Sequence, residues 1–254
     1  MQEFDEVTFQ RIKHEYPKNS HIVPGSTPVI SFGDPSRARI VTIGINPSSV
    51  EFEGKGETLL SEQNRRLEDF QSLKISVSSE ISEELARKIH TGCLNYFDRR
   101  PYHWFNQLDA KVNNLFDSSY RDRTAAHLDL VQWATKPVWN KIKEKNTQTA
   151  LLNSDSRFLK HQLEKTSAKF VYLSGKLVFQ QLQKTGIISA EIDKTFSFAT
   201  KNGRQSSYSF YKGTTFNGLP VGGWSRVMPG HHLPRANMEE VFVNLSKFLK
   251  RFKV

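Results

Sequence analysis

The sequence contains one cysteine, Cys93, in 254 residues. A single thiol cannot form a disulfide within the chain, and it cannot supply the several ligands of a cysteine-bound zinc ion or an iron–sulfur cluster. Long apolar runs are also missing, since none approaches the roughly 18 residues that a membrane-spanning helix needs. The first residues are acidic and polar, unlike a secretory signal. We therefore expect a cytoplasmic protein without a membrane partner.

Several catalytic motifs are absent as well. The sequence has no Gly-x-Ser-x-Gly nucleophile turn and no Walker loop, which argues against serine hydrolases and P-loop enzymes. Its eight histidines include no helical His-x-x-x-His pair. Cys93 lies in a helical pattern without an activating motif, so we expect a buried structural thiol. Neither a metal ion nor an organic cofactor is expected.

Positive charge is present in excess. Lys and Arg number 36 against 26 Asp and Glu, which leaves a net charge of +10. An excess of this size suits a polyanionic partner such as nucleic acid. The cations are scattered along the chain, so a solvated basic surface is the simpler alternative.

Strand-like and helix-like segments alternate along the chain. Helical patterns are expected within 57–117, after Pro137, after Gly175 with Leu177, Val178 and Leu182 inward, and over 237–252 with Asn237 as its cap. Apolar alternation on either side of Asn202-Gly203 predicts a hairpin. β-branched and apolar runs predict strands at 39–45, 125–131, 168–173 and 219–225.

This alternation predicts an α/β fold, a three-layer α/β/α sandwich around a short and mainly parallel sheet. We expect the domain to cover 38–254 and a polar arm to precede it at 1–37. In such sheets the ligand site lies outside the carboxyl ends of the strands. Three segments are therefore expected to meet there, at 44–52, 129–135 and 224–235.

The first of these segments is Gly44-Ile45-Asn46-Pro47-Ser48-Ser49. Glycine lets the backbone approach a ligand closely. The Asn46 amide has both donors and an acceptor at the strand end, where it can hold a water molecule. An ordinary strand-to-helix turn is the structural alternative, because Asn-Pro often makes one.

A strand that ends in Gly-Ile-Asn-Pro resembles the first motif of the uracil-DNA glycosylase superfamily, especially its mismatch-specific and single-strand-selective branches. The resemblance implies that Asn46 positions the water that attacks the sugar carbon. It also implies that the loop, with Gly44, Ile45, Pro47 and Ser48, cradles a flipped base. The family usually has Gly where this chain has Ser48, so a tighter or differently shaped loop is expected.

The last segment resembles the family's second motif, a (His/Met)-Pro-Ser loop before the final helix. Met228-Pro229 matches the branch with Met, and Gly230 stands at the usual Ser. The resemblance implies that His231 or His232 stabilises the departing base anion and that Leu233 fills the vacated stack. Further residues are expected to contact the substrate or the DNA backbone: Phe52 and Ser225 for the substrate, and Lys176, Arg226 and Arg235 for phosphates. Two solvated histidines in a surface loop are the structural alternative.

The second segment departs from the family. In the family, a strand at this point carries an Asn that reads the edge of a pyrimidine. In this chain, Asp129 is the residue nearest that position. An amide can accept from N3–H and donate to O4, whereas an ionised carboxylate only accepts and repels O4. Three interpretations remain open: Asp129 is protonated, the base presents amino donors, or uracil is not the substrate. A polar strand end satisfied by backbone N–H groups is the structural alternative.

The resemblance implies a monomeric DNA glycosylase that hydrolyses the N-glycosidic bond of a flipped damaged or deaminated base in single- or double-stranded DNA. A member of the same fold that binds nucleic acid without catalysis remains open, and so does a hydrolase of free nucleosides or nucleotides. The aromatic cluster Tyr102, Trp104 and Phe105 is expected in the core, with base stacking as the alternative.

Overall fold

The computed structural model describes residues 3–16, 20–54, 56, 58–199, 205–227 and 235–252. Within these ranges one six-stranded sheet organises the chain. Its strands follow the spatial order β2-β1-β3-β6-β5-β4. In chain order they are β1 (Ile40–Gly44), β2 (Ala125–Asp129), β3 (Phe170–Ser174), β4 (Ile188–Ala199), β5 (Gln205–Thr215) and β6 (Pro220–Trp224).

The pairing of the strands confirms a mixed α/β fold with a mainly parallel sheet. β1 pairs in parallel with β2 and with β3, and β3 pairs in parallel with β6. β5 runs antiparallel to both β6 and β4. The β4–β5 pair is the expected hairpin, although its Asn202-Gly203 turn lies outside the described residues. The four parallel strands therefore all end at one edge of the sheet.

Seven α-helices lie in the described ranges, together with short 3₁₀ turns such as 49–51 and 139–141. Several begin with side-chain caps, as at Asp5 and Ser82, whose oxygens accept from the backbone N–H three residues later. In chain order the helices are α1 (Glu6–Lys13), α2 (Phe70–Leu73), α3 (Glu83–Leu94), α4 (His103–Phe116), α5 (Lys145–Lys165), α6 (Lys176–Lys184) and α7 (Arg235–Leu249).

Two hydrophobic clusters lie on opposite faces of the sheet. Along β3, Phe170 and Tyr172 belong to one cluster, while Val171 and Leu173 belong to the other. This alternation is the two-residue period of a strand that is buried on both sides. α3, α4 and α7 contribute to the first cluster, and α6 together with most of the buried apolar residues of α5 contributes to the second. Helices therefore cover both faces.

The N-terminal residues pack into the first of these clusters, which corrects the expected division at 37/38. Ile12, Val23 and Ile30 are all buried there. Phe32 exchanges backbone hydrogen bonds with His127 of β2, at 2.8 and 3.0 Å. The segment expected as a polar arm thus shares its core with the sheet.

Some local predictions were wrong. Pro137 precedes a 3₁₀ turn, and the α-helix that follows begins only at Lys145. Asn237 lies inside α7, which begins at Arg235, so Asn237 is not its cap. Leu177 is 37% exposed because it occupies the first turn of α6, although Val178 and Leu182 are buried as expected.

Cys93 is buried, as expected of a structural thiol, and its burial raises the pKa of the thiol to about 11.

Candidate functional site

A cavity of about 490 Å³ lies at the carboxyl ends of β1, β2 and β3. This is within the usual size range of small-ligand pockets. The first two predicted segments both line it, and Val227 adds the last described residue of the third. Aromatic rings form much of its wall, from Phe32, Tyr102, Trp104, Phe105, Trp139 and Tyr172. Its polar side chains are Thr42, Asn46, Ser48, Glu51, His127, Asp129, Thr135, Asn140 and Ser174.

Gly44 makes room for the polar side chains of β2. The register pairs Thr42 with His127 and Gly44 with Asp129. Because strand side chains alternate, these four residues face the same side of the sheet. A Cβ atom on Gly44 would overlap the Asp129 Oδ1 atom and would lie 2.9 Å from the His127 Nε2 atom. The missing side chain at this position is therefore a condition for the arrangement of the site.

Asn46 is held by its amide nitrogen. Its Nδ2 atom donates to the Pro47 carbonyl oxygen at 2.9 Å and to Thr135 Oγ1 at 2.9 Å, with the Trp133 carbonyl oxygen 3.2 Å away. These contacts fix the orientation of the amide. No donor among the described residues contacts its Oδ1 atom, so this oxygen is the part of Asn46 that can accept from a water or a ligand.

A buried chain of polar groups leads to Asp129. The Tyr120 hydroxyl lies 2.7 Å from Thr42 Oγ1, which lies 2.7 Å from His127 Nδ1. His127 Nε2 lies 3.5 Å from Asp129 Oδ1. Asp129 is 3% exposed, yet no described residue donates a hydrogen bond to its carboxyl group. The structural alternative was that backbone N–H groups hydrogen-bond to the Asp129 carboxyl at the end of its strand. No contact among the described residues supports it.

Glu51 is a second buried carboxyl group in the cavity wall. It is 2% exposed, and it accepts a hydrogen bond of 2.7 Å from the Tyr96 hydroxyl. Burial raises the pKa of Glu51 to about 7, and Asp129 raises it further, whereas Tyr96 and Arg66 oppose the rise. At neutral pH this carboxyl therefore exchanges between its neutral and ionised forms.

Four expected contact residues lie outside the cavity wall, which leaves the expected phosphate contacts of Lys176 and Arg226 as predictions. Phe52 is 1% exposed and packs in the core rather than in the cavity wall, so the structure gives no support to base stacking by it. Ser225 Oγ accepts from the Ser209 backbone at 2.9 Å, which ties it to β5. Arg226 donates to Ser206 and Ser207 of the same strand, at 2.6 and 2.7 Å. Lys176 is exposed at the start of α6, outside the cavity wall.

The remaining predicted residues fall outside the described part of the chain. His231, His232 and Leu233 lie there, as do Met228, Pro229 and Gly230. Arg235 begins α7, and its side chain also lies outside the described part of the structure. Their expected roles stay predictions.

Three functional candidates were missed in the sequence. His127 precedes Asp129 by two positions on one strand, so the two-residue period already placed both on one face. Glu51 follows Asn46 in the same loop, but its burial depends on Tyr96, which is distant in sequence. Thr42 gave no sequence signal, because its role depends on the pairing of β1 with β2.

Two further properties bear on the class of site. Among the described residues, no group of three His, Cys, Asp or Glu side chains is arranged to hold a metal ion. None of the helices in the described ranges combines the length and the apolarity that crossing a bilayer requires.

Comparison with known proteins adds no family. No protein-family model matches the sequence, and no curated protein matches it either. The fold and cavity by themselves define an α/β protein with an aromatic, partly polar pocket at the carboxyl edge of its parallel strands. Function is therefore argued from the chemistry of that pocket.

Proposed function

We propose that this protein hydrolyses the N-glycosidic bond of a damaged or deaminated base flipped out of DNA, on a three-layer sandwich of the uracil-DNA glycosylase type. The observation that carries the proposal is the presence of Asn46 and Asp129 in the wall of one cavity of about 490 Å³. Aromatic walls suit a planar heterocycle, and flipping delivers a base to such a pocket for a few kcal/mol.

The chemistry needs a positioned water and hydrogen-bond donors around the base, because bond breaking leaves positive charge on the sugar and negative charge on the base. Asn46 Oδ1 is oriented by the contacts of Nδ2 and accepts a hydrogen bond from the attacking water. His231 or His232 is the donor to the departing base that the resemblance implies.

Apolar side chains surround the mouth of the cavity. Val138, Leu177 and Val227 line it and are 51%, 37% and 64% exposed. Exposed apolar groups that are clustered in this way often mark a contact surface. In the proposed complex they pack against the sugar and the neighbouring bases of the flipped nucleotide, while the net charge of +10 favours approach to DNA.

The charge of the cavity wall disfavours nucleotides as substrates. Within the described residues, Glu51 and Asp129 line the cavity, and no Lys or Arg does. A phosphate group drawn inside would meet carboxyl groups without a compensating cation. A neutral base that enters while its phosphates stay outside avoids this cost.

The direct test is cleavage of oligonucleotides that carry uracil, hypoxanthine, xanthine or mismatched thymine, in single and double strands, with abasic sites as the readout. Asn46→Ala should abolish cleavage and leave DNA binding largely unchanged. Asn64→Ala is the matched control, because Asn64 is exposed and is not part of the cavity wall. Full activity in Asn46→Ala would remove the assigned role.

The same experiment separates the alternatives. Salt-sensitive DNA binding without abasic product would indicate a binding protein that lacks catalysis. Hydrolysis of free nucleosides with weak DNA binding would indicate a small-molecule hydrolase. The variant must stay folded for its loss to count, because Asn46 also ties its loop to Thr135. Its unfolding midpoint is therefore measured alongside activity.

A further inference from the structure

Two polar atoms lie side by side in the cavity without hydrogen-bond partners among the described residues. His127 Nε2 and Asp129 Oδ1 are 3.5 Å apart, too far for a good hydrogen bond. No described residue donates to the Asp129 carboxyl or bonds to His127 Nε2, although the two residues are only 3% and 6% exposed. Since buried polar groups are normally hydrogen-bonded, this pair is suited to a partner from outside the chain.

The neighbours of His127 decide where its proton lies. Thr42 Oγ1 lies between the Tyr120 hydroxyl and His127 Nδ1, at 2.7 Å from each. When Tyr120 donates to Thr42, the threonine hydroxyl donates to Nδ1, which places the ring proton on Nε2. If the hydrogen bonds ran the other way, His127 Nδ1–H would donate to Thr42, and the unprotonated Nε2 would face the Asp129 carboxyl with its lone pair. Only the first arrangement suits both neighbours when Asp129 is ionised.

We propose that His127 Nε2–H and the Asp129 carboxyl together read the lactam edge of a base, an N–H group beside a C=O group, as in uracil or hypoxanthine. Asp129 accepts from the N–H group, and His127 donates to the carbonyl oxygen. His127 is thus a specificity-determining residue, and Thr42 and Tyr120 are positioning residues. The choice of a lactam rests on the proposed function.

The reason for a lactam is the charge that the proposed reaction leaves on the base. Part of that negative charge moves onto the carbonyl oxygen, where a donor stabilises it. An amidine edge, as in cytosine or adenine, has no oxygen at that position. A lone carboxylate would instead prefer two adjacent donors, since it only accepts. His127 therefore restores recognition of a carbonyl that Asp129 alone would repel.

Binding of free bases tests this without any cleavage. The intact protein is titrated with uracil and hypoxanthine and, in parallel, with cytosine and adenine. Trp104 and Trp139 line the cavity, so quenching of their fluorescence reports occupancy. We expect the lactam bases to bind at least about tenfold more tightly. Equal or tighter binding of the amino bases overturns the proposal. Selective binding by a protein that cleaves nothing would refute only the proposed function.

Three variants separate recognition from a structural role. His127→Leu should weaken uracil binding by about tenfold or more, whereas His127→Gln, which keeps a donor, should stay within about threefold. The double variant His127→Leu/Asp129→Asn should recover most of the binding, because one amide provides both a donor and an acceptor. An unchanged Kd in His127→Leu, or a folded double variant that does not recover, contradicts the proposed pair. Should His127→Leu fail to fold, His127→Gln decides the matter, since a Kd weakened by much more than about threefold in that variant contradicts the proposed pair.

Discussion

Replacement of Glu51 by glutamine should change how stability depends on pH. Glutamine has the size of the glutamic acid side chain and can still accept the hydrogen bond from Tyr96, 2.7 Å away, but it does not ionise. Burial raises the pKa of Glu51 to about 7, from an ordinary value of 4.5. The variant therefore removes one titration and little else.

The size and sign of the effect follow from this pKa. A carboxyl whose pKa is higher in the folded protein binds its proton more tightly there, so its contribution is complete below 4.5 and is lost as the pH rises through about 7. The difference between the two values corresponds to about 3 kcal/mol of unfolding free energy. The free energy of unfolding of Glu51→Gln, compared with that of the natural chain, should therefore increase by about 3 kcal/mol as the pH rises from about 4.5 to about 8.

In the natural chain, the titration of His90 offsets the pH dependence of stability that Glu51 causes. Burial lowers the pKa of His90 to about 4, while Asp34 and Asp5 act in the opposite direction. Its unfolded form binds a proton that the folded form does not, so stability rises with pH between about 4 and 6.5. This rise opposes the loss from Glu51 over most of the same range. The natural chain should therefore look nearly flat there, and Glu51→Gln should expose a rising curve.

The assay is denaturant unfolding, followed by tryptophan fluorescence, at pH steps between about 4.5 and 8. The difference between variant and natural chain isolates Glu51, because the titrations of groups that do not interact with it cancel. Glu62→Gln is the control, since Glu62 is exposed and its curve should run parallel to the natural one. A pH-independent difference for Glu51→Gln would refute the argument from burial.

Two further changes test the packing around the site. Gly44→Ala should destabilise the protein by about 1–3 kcal/mol and weaken binding of the proposed base, because its Cβ overlaps Asp129. Thermal unfolding measures the loss, with Gly54→Ala as the control. Among the described residues the Cβ of that variant meets only Leu60, at an ordinary contact distance of 3.6 Å, so its stability should change little. Asp155→Ala should cost about 3–5 kcal/mol, because it leaves Arg11 buried without its 2.7 Å ion pair. Substitution of both partners by Met and Leu should recover part of that loss, and no recovery would contradict the account.

The sequence predicted the strands better than the helices. β1, β2, β3 and β6 each begin and end within two residues of their expected bounds, since a buried parallel strand is a short β-branched or apolar run that local composition reveals. The region 58–69 was expected to be helical, but it forms loops and a 3₁₀ turn at 62–64. Arg65, Glu68 and Asp69 there make specific ion pairs, which a periodic pattern does not show.

The site was predicted in part. Asn46 and Asp129 follow from the rule that ligands bind at the carboxyl ends of parallel strands, and both line the cavity. Phe32 comes from the segment expected as an arm, and it lines the cavity because it pairs with His127 through the backbone. Such long-range contacts have no local signature, so the sequence could not place Phe32 in the wall.

The interior of the cavity constrains the reaction more tightly than the resemblance does. The Asp129 carboxyl adds to the effect of burial in raising the pKa of Glu51. In the proposed reaction, a base that departs as an anion adds a further negative charge to a wall whose described part contains neither Lys nor Arg. That charge is tolerated only where hydrogens point at it, and His127 Nε2–H and the neutral form of Glu51 are two groups of the described wall that can supply them. In the proposed reaction, the two carboxyls that disfavour phosphate in the cavity therefore increase the need for hydrogen-bond donors to the base, such as His127 of the described wall.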